Sequence, residues 1–175
     1  MKLFKDKDSK SFKQQVRIVT YILLAIIIII FNFMFLEYMS IEGLTPDLLI
    51  ILCVWIALKE GQFVALFAGF GIGLLFDILS PGIIGISALT KTFVGFVAGF
   101  FFKENAANQI IGSYRFLLIV LFCSILHNLI YFLIYIKPSE ISLFTFFLKY
   151  GLAISLYTTI FALFPMFLKL PKKIR

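Results

Sequence analysis

Few residues in this chain could do chemistry, and nearly all of them sit inside apolar runs. Asp77 and Lys91 each interrupt one of two Gly-rich stretches that extend from Ala65 to Gly99 around a Ser80-Pro81-Gly82 break. His127 and Asn128 lie together near the centre of another run, Phe116 to Ile136, with Ser124, Tyr131 and Tyr135 on the same face at helical spacing. Glu60 and Glu104 flank apolar segments. Acid–base catalysis needs a titratable group held near a reacting atom, a proton relay needs a chain of them, and a ligand pocket needs a few polar groups in an apolar wall. Each residue also has a plainer use. A charge in lipid is costly unless paired, so we read Asp77 and Lys91 as a structural ion pair, the long Lys stem reaching back one turn. A His beside an Asn in mid-membrane most often hydrogen-bonds between helices. No catalytic, cofactor or metal site follows from this set. The chain has one His and no CxxC, HExxH or phosphate-loop pattern. Gly69-Phe-Gly-Ile-Gly lies in an apolar run without a preceding strand, so we read it as packing. Cys53 and Cys123 read as small apolar fillers without a disulfide.

The elements that position these residues come next. Ala65, Gly69, Gly73 and Asp77 recur every four residues, as do Ser87, Lys91, Gly95 and Gly99. On helices each set forms one stripe. A tight hairpin centred near Gly82 predicts Asp77 level with Ser87, Gly73 with Lys91, Gly69 with Gly95 and Ala65 with Gly99. Small residues at this spacing let two backbones approach closely in an apolar setting.

Composition makes lipid the solvent. The chain is 62% hydrophobic and only 14% charged, with 23 Phe among its 175 residues, whereas a soluble domain carries about 25% charge. Its mean hydropathy is +1.06. One soluble core of this size cannot hide that much apolar surface. The predicted fold class is all-α, a polytopic integral membrane protein with a bundle of about six transmembrane helices. The spans fall at about 18–36, 44–58, 62–79, 83–102, 116–136 and 143–168, between basic tails at 1–17 and 169–175. The first run reads as an uncleaved span, with Asn32 as a helix–helix hydrogen bonder. Thr45-Pro46-Asp47 reads as a helix start, with Thr45 at the cap and Pro46 at the first helical position. The run after it, Leu48 to Leu58, is short for a crossing.

The net charge of +7 does not point to nucleic acid, because the basic residues gather in the tails and at helix ends. With both termini cytoplasmic, the inner segments hold thirteen Lys and Arg and the outer loops hold one, Lys137. That bias satisfies the positive-inside rule with six crossings and not with five.

Thr45-Pro46-Asp47-Leu48-Leu49, Ala57-Leu58, the stretch from Gly69 to Asp77 with Ser80-Pro81-Gly82, then Gly85 and Ala88-Leu89, together resemble the bacterial rod-shape-determining MreD family. The resemblance is densest between Pro46 and Gly99. It implies a non-catalytic component of the cell-wall elongation machinery (the elongasome) in the bacterial inner membrane. The implied partners are the single-span protein MreC and, with it, the wall-synthesis complex, in contact with membrane lipid. The family also looks similar in fold to the substrate-binding membrane component of ECF-type vitamin transporters, which supplies an alternative function. In that alternative the same polar groups, His127 with Asn128, Asp77 with Lys91, and Glu60 or Glu104, would line a pocket together with Trp55. In the scaffold reading the Gly stripes are used up inside the hairpin, so a partner docks elsewhere: beside Asn32, where a short second helix leaves a groove.

Overall fold

In the computed structural model the chain is built from helices and their connections, with no β-strand among the described residues. The structure describes residues 2–35, 38, 40, 44–135 and 147–169, with side chains from Gln14 onward. Helix α1 is Lys2–Phe35, α2 Leu48–Glu60, α3 Gln62–Leu79, α4 Ile86–Gly99, α5 Ala107–Ile111 and α6 Tyr114–Tyr135. A π-helical turn, Phe147–Gly151, leads into α7, Leu152–Phe161, and α8, Leu163–Leu168. The basic stretch before the first apolar run is therefore helical and continuous with it. Most of the loops expected around 37–45 and 137–140, and residues 170–175 of the C-terminal tail, lie outside the described residues.

Among the described residues four segments are long and apolar enough to cross a membrane: Gln14–Phe35, Gln62–Leu79, Tyr114–Ile134 and Phe147–Leu168. This is the architecture of a polytopic membrane protein. The expected spans at 44–58 and 83–102 correspond to the shorter α2 and α4, of 13 and 14 residues. At 1.5 Å per residue each covers only about 20 Å of a hydrocarbon core about 30 Å thick.

Helix α2 is short because it is interior. It is apolar all round, and Leu49, Ile50, Cys53, Val54, Ala57 and Leu58 are completely buried. A helix without a polar face has to be surrounded. Helices α1, α3, α4, α5, α6 and α7 all pack on it. Gly61, at φ 88°, turns the chain directly from α2 into α3, a backbone conformation that a side chain would strain.

Helices α3 and α4 form the most intimate pair in the molecule. A methyl group on Gly69 would overlap the Lys91 carbonyl, one on Gly73 the Ser87 carbonyl, one on Gly95 the Ala65 carbonyl and one on Gly99 the backbone of Gln62. The hairpin register is thus displaced by about one turn from the expected one: Gly73 faces Ser87, not Lys91, and Gly69 faces Lys91, not Gly95. The connection is the cause. Asp77 binds the start of α4, drawing that end down beside the last turn of α3.

Helix α1 is held differently. Among its described side chains only Ala25 and Ile29 are buried, while Ile18, Val19, Ile22, Leu23, Ile27 and Ile30 are exposed. Arg17 pairs with Glu60 at 3.1 Å, and the Tyr21 hydroxyl donates to Glu60 at 2.9 Å. Near the other end Phe33 stacks on Phe76 at 5.6 Å.

Candidate functional site

Lys91 and His127, both buried, converge on the residue directly before α2. Asp47 is the N-cap of that helix: its Oδ1 accepts from the Leu49 and Ile50 amides at 3.0 and 3.3 Å. Thr45 is not the cap and Pro46 lies outside the helix, because the helix begins at Leu48 and the residue directly before it, Asp47, is the one whose side chain meets the free amides of the first turn. Capping uses one carboxylate oxygen. The other, Oδ2, accepts from the Lys91 ammonium at 2.8 Å. His127 Nε2 lies 3.8 Å from the same oxygen, and the Asp47 amide donates to Thr158 Oγ1 at 3.0 Å. Four helices, α2, α4, α6 and α7, meet at this one residue.

Lys91 is 1% exposed, and its ammonium also lies 5.2 Å from the centre of the Phe76 ring, within cation–π range. The expected Asp77–Lys91 pair is replaced by this Asp47–Lys91 pair. Asp77 satisfies its charge with backbone amides instead. Its carboxylate accepts from Gly85, Ser87 and Ala88 at 2.8, 3.3 and 3.1 Å, at the positive end of the α4 dipole. Both charges are buried; Asp77 is satisfied across the short α3–α4 connection, and Lys91 by a carboxylate 44 residues away.

A second polar layer lies beside the first. Asn128 Nδ2 donates to the Gly151 carbonyl at 3.2 Å and to Ser155 Oγ at 3.0 Å, and Ser155 Oγ itself donates to the Gly151 carbonyl at 2.8 Å. The π-helical turn that ends at Gly151 leaves that carbonyl available to both donors. Asn128 thus joins α6 to α7, as an intramembrane amide is expected to do. His127, its neighbour, does not: both ring nitrogens are buried without a hydrogen-bond partner among the described residues, as is Ser124 Oγ. The His127 ring is stacked against Tyr131 at 6.0 Å. Asn32, the other polar residue singled out in sequence, is half-buried on α1, away from this cluster, and has no hydrogen-bond partner among the described residues.

Chemically this arrangement is a lock. The Asp47 carboxylate closes the end of α2 and neutralises the buried Lys91 ammonium, so separating α2 from α4 would break a charge-assisted contact, and the backbone amide of Asp47 adds a hydrogen bond to α7. Lys91, His127 and Asn128 are buried, and the Asp47 side chain is 21% exposed. Cys53 and Cys123 are free, buried thiols. Among the described residues no three His, Cys, Asp or Glu side chains converge as a metal site requires.

Asp47 was legible in sequence as a helix start but not as the ion partner of Lys91, 44 residues away. Ser155 and Thr158 carried a faint signal, two hydroxyls three residues apart in an apolar span. Nothing in the sequence tied them to Asn128 and Asp47.

The family model described as rod shape-determining protein MreD matches residues 12–174, nearly the whole chain. No curated protein and no solved structure matches it.

Proposed function

The chain belongs to the rod shape-determining MreD family, and from that membership we propose that it is a non-catalytic membrane scaffold of the cell-wall elongation machinery. As a member of this family it serves cell-shape determination in a bacterial membrane. In the proposed reading it holds an MreC-type single-span protein, and through it the wall-synthesis assembly. The observation that carries the reading is the state of α1. Its long apolar face is exposed, while the half-buried Asn32 lies on the side of α1 that carries the buried Ala25 and Ile29. A second helix laid along the exposed face would cover it.

The proposed topology has six passes, with α2 and α4 as short ones and both termini cytoplasmic. Support comes from one rim of the bundle. Arg17 meets Glu60, Lys59 donates to Asn108 at 2.6 Å, and Gly61 lies against Phe102. Desolvation and the nearby Lys169 charge both lower the pKa of Lys59. A rim this rich in Lys and Arg belongs on the inner side.

The test is a disulfide trap between Cys at Asn32 and Cys along the span of the single-span partner, combined with depletion. Depletion should turn rods round, and the trap should give a cross-link with helical periodicity along the partner. Unchanged shape on depletion, together with tight binding of a vitamin-sized molecule, would favour the transporter-like alternative.

A further inference from the structure

The end of α4 and the start of α6 carry two cations that no described side chain neutralises. Lys103 follows the three exposed aromatics Phe100, Phe101 and Phe102, and Arg115 opens α6 one residue after the exposed Tyr114. Neither forms an ion pair among the described residues, although Glu104 is next in the chain. Two open cavities, of about 300 and 410 Å³, lie side by side here and share Lys103, Ile110 and Arg115. Both fall at the lower end of the range for small-ligand sites, about 300–1,000 Å³. They differ in character. Phe100, Phe101, Leu118 and Ile119 make the first apolar, whereas Gln109 and Ser113 add hydrogen-bonding groups to the second. Phe100 is 67% exposed and Leu118 58%, so the apolar cavity opens on the surface that faces lipid.

An apolar furrow along a membrane helix, ending in two unpaired cations beside polar side chains at the basic rim, has the shape and charge of one kind of molecule. We propose that it holds a single anionic phospholipid from the leaflet at that rim. The headgroup phosphate sits between Lys103 and Arg115, with Ser113 and Gln109 as donors, and one acyl chain lies along Phe101 and Leu118. Basic pockets between transmembrane helices suit anionic headgroups, and Arg presents a planar fork that matches phosphate oxygens. A free phosphate would use the cations and leave the furrow unexplained. The furrow's occupant is therefore amphipathic and anionic.

Native mass spectrometry of the full chain, released from detergent with phosphatidylglycerol or with phosphatidylcholine of the same acyl chains, tests the site. Phosphatidylglycerol should be retained preferentially. Lys103→Gln and Arg115→Gln should each reduce that preference roughly fivefold, the loss of one cation near an anionic headgroup, and the double variant should abolish it. Lys169→Gln, on the same rim but outside the furrow, should leave it unchanged. Leu118→Ser should weaken retention of both lipids. Should the double variant not fold, Lys103→Arg with Arg115→Lys should keep the preference while the single Gln variants lose it. Equal retention of the two lipids, full displacement by millimolar inorganic phosphate, or an equal loss in Lys169→Gln would each overturn the proposal.

Discussion

Asp47 Oδ2 and Lys91 Nζ lie 2.8 Å apart inside the helical bundle, joining the first turn of α2 to the middle of α4. The Lys side chain is 2% exposed and the Asp side chain 21%. Burial of this kind makes the pair costly to form and more costly to break, since removing one partner strands the other's charge. A broken buried pair costs about 3–5 kcal/mol, while replacing both partners is often close to neutral. Asp47→Asn and Lys91→Met should therefore each lower thermal stability in detergent strongly, and the double variant should lose less than the sum. Asp47→Asn retains one capping oxygen, so its cost isolates the charge. Additive losses would mean that the two residues act separately.

Asp77 provides the contrast. Its carboxylate is held by three backbone amides at the start of α4 and, among the described residues, by no side-chain cation. Asp77→Ala should cost about 2 kcal/mol, the scale of a lost helix cap with buried donors. Combined with Lys91→Met it should be close to additive, because the two charged groups share no hydrogen-bond or ion-pair partner among the described residues. A large coupling energy between Asp77 and Lys91 would contradict the structure.

The small-residue stripes make a position-specific prediction. A Cβ on Gly69 or Gly73 would collide with backbone of α4, which cannot move aside, whereas one on Gly71 meets nothing within 4 Å. Gly69→Val or Gly73→Val should cost about 3 kcal/mol or more and lower the yield of folded protein. Gly71→Ala should be neutral or stabilise by up to about 1 kcal/mol through helix propensity. Fluorescence-detected size exclusion of the three variants separates the outcomes.

Accessibility checks the proposed orientation. In a background with Cys53→Ala and Cys123→Ala, a Cys at Ser40 should react with an impermeant thiol reagent in cells whose outer barrier has been opened. A Cys at Asn105, between α4 and α5, should react only after the inner membrane is breached. Labelling of Asn105→Cys from outside would reverse the bundle.

A prediction about His127 follows from its isolation. Both ring nitrogens are buried and unpartnered among the described residues, so the ring contributes mainly packing against Tyr131. His127→Phe should keep cell shape and folded yield close to normal, and Asn128→Ala should not. Asn128 holds the Gly151 carbonyl and Ser155, so its loss leaves buried polar groups unsatisfied, at about 1–3 kcal/mol. The same cell-shape assay with protein levels matched reads both.

The sequence by itself determined the class of solvent, the helical architecture and the location of the closest helix contact. A surplus of apolar residues with charges at the helix ends leaves no alternative to lipid, and a four-residue repeat of Gly and Ala permits close backbone approach in only one way, face to face. It also determined that Asp77 and Lys91 had to be neutralised. Only the tertiary structure decided by what. The chain encodes a charge's need for a partner locally, but the partner is set by which helix ends fall at the same depth. The hairpin register slid about one turn once Asp77 took the α4 amides, and the interior α2 brought Asp47 level with Lys91, His127 and Thr158. A carboxylate that is satisfied by three amides has no remaining need of an ammonium, and an ammonium 44 residues from Asp47 carries no mark in its own neighbourhood of where that oxygen will be.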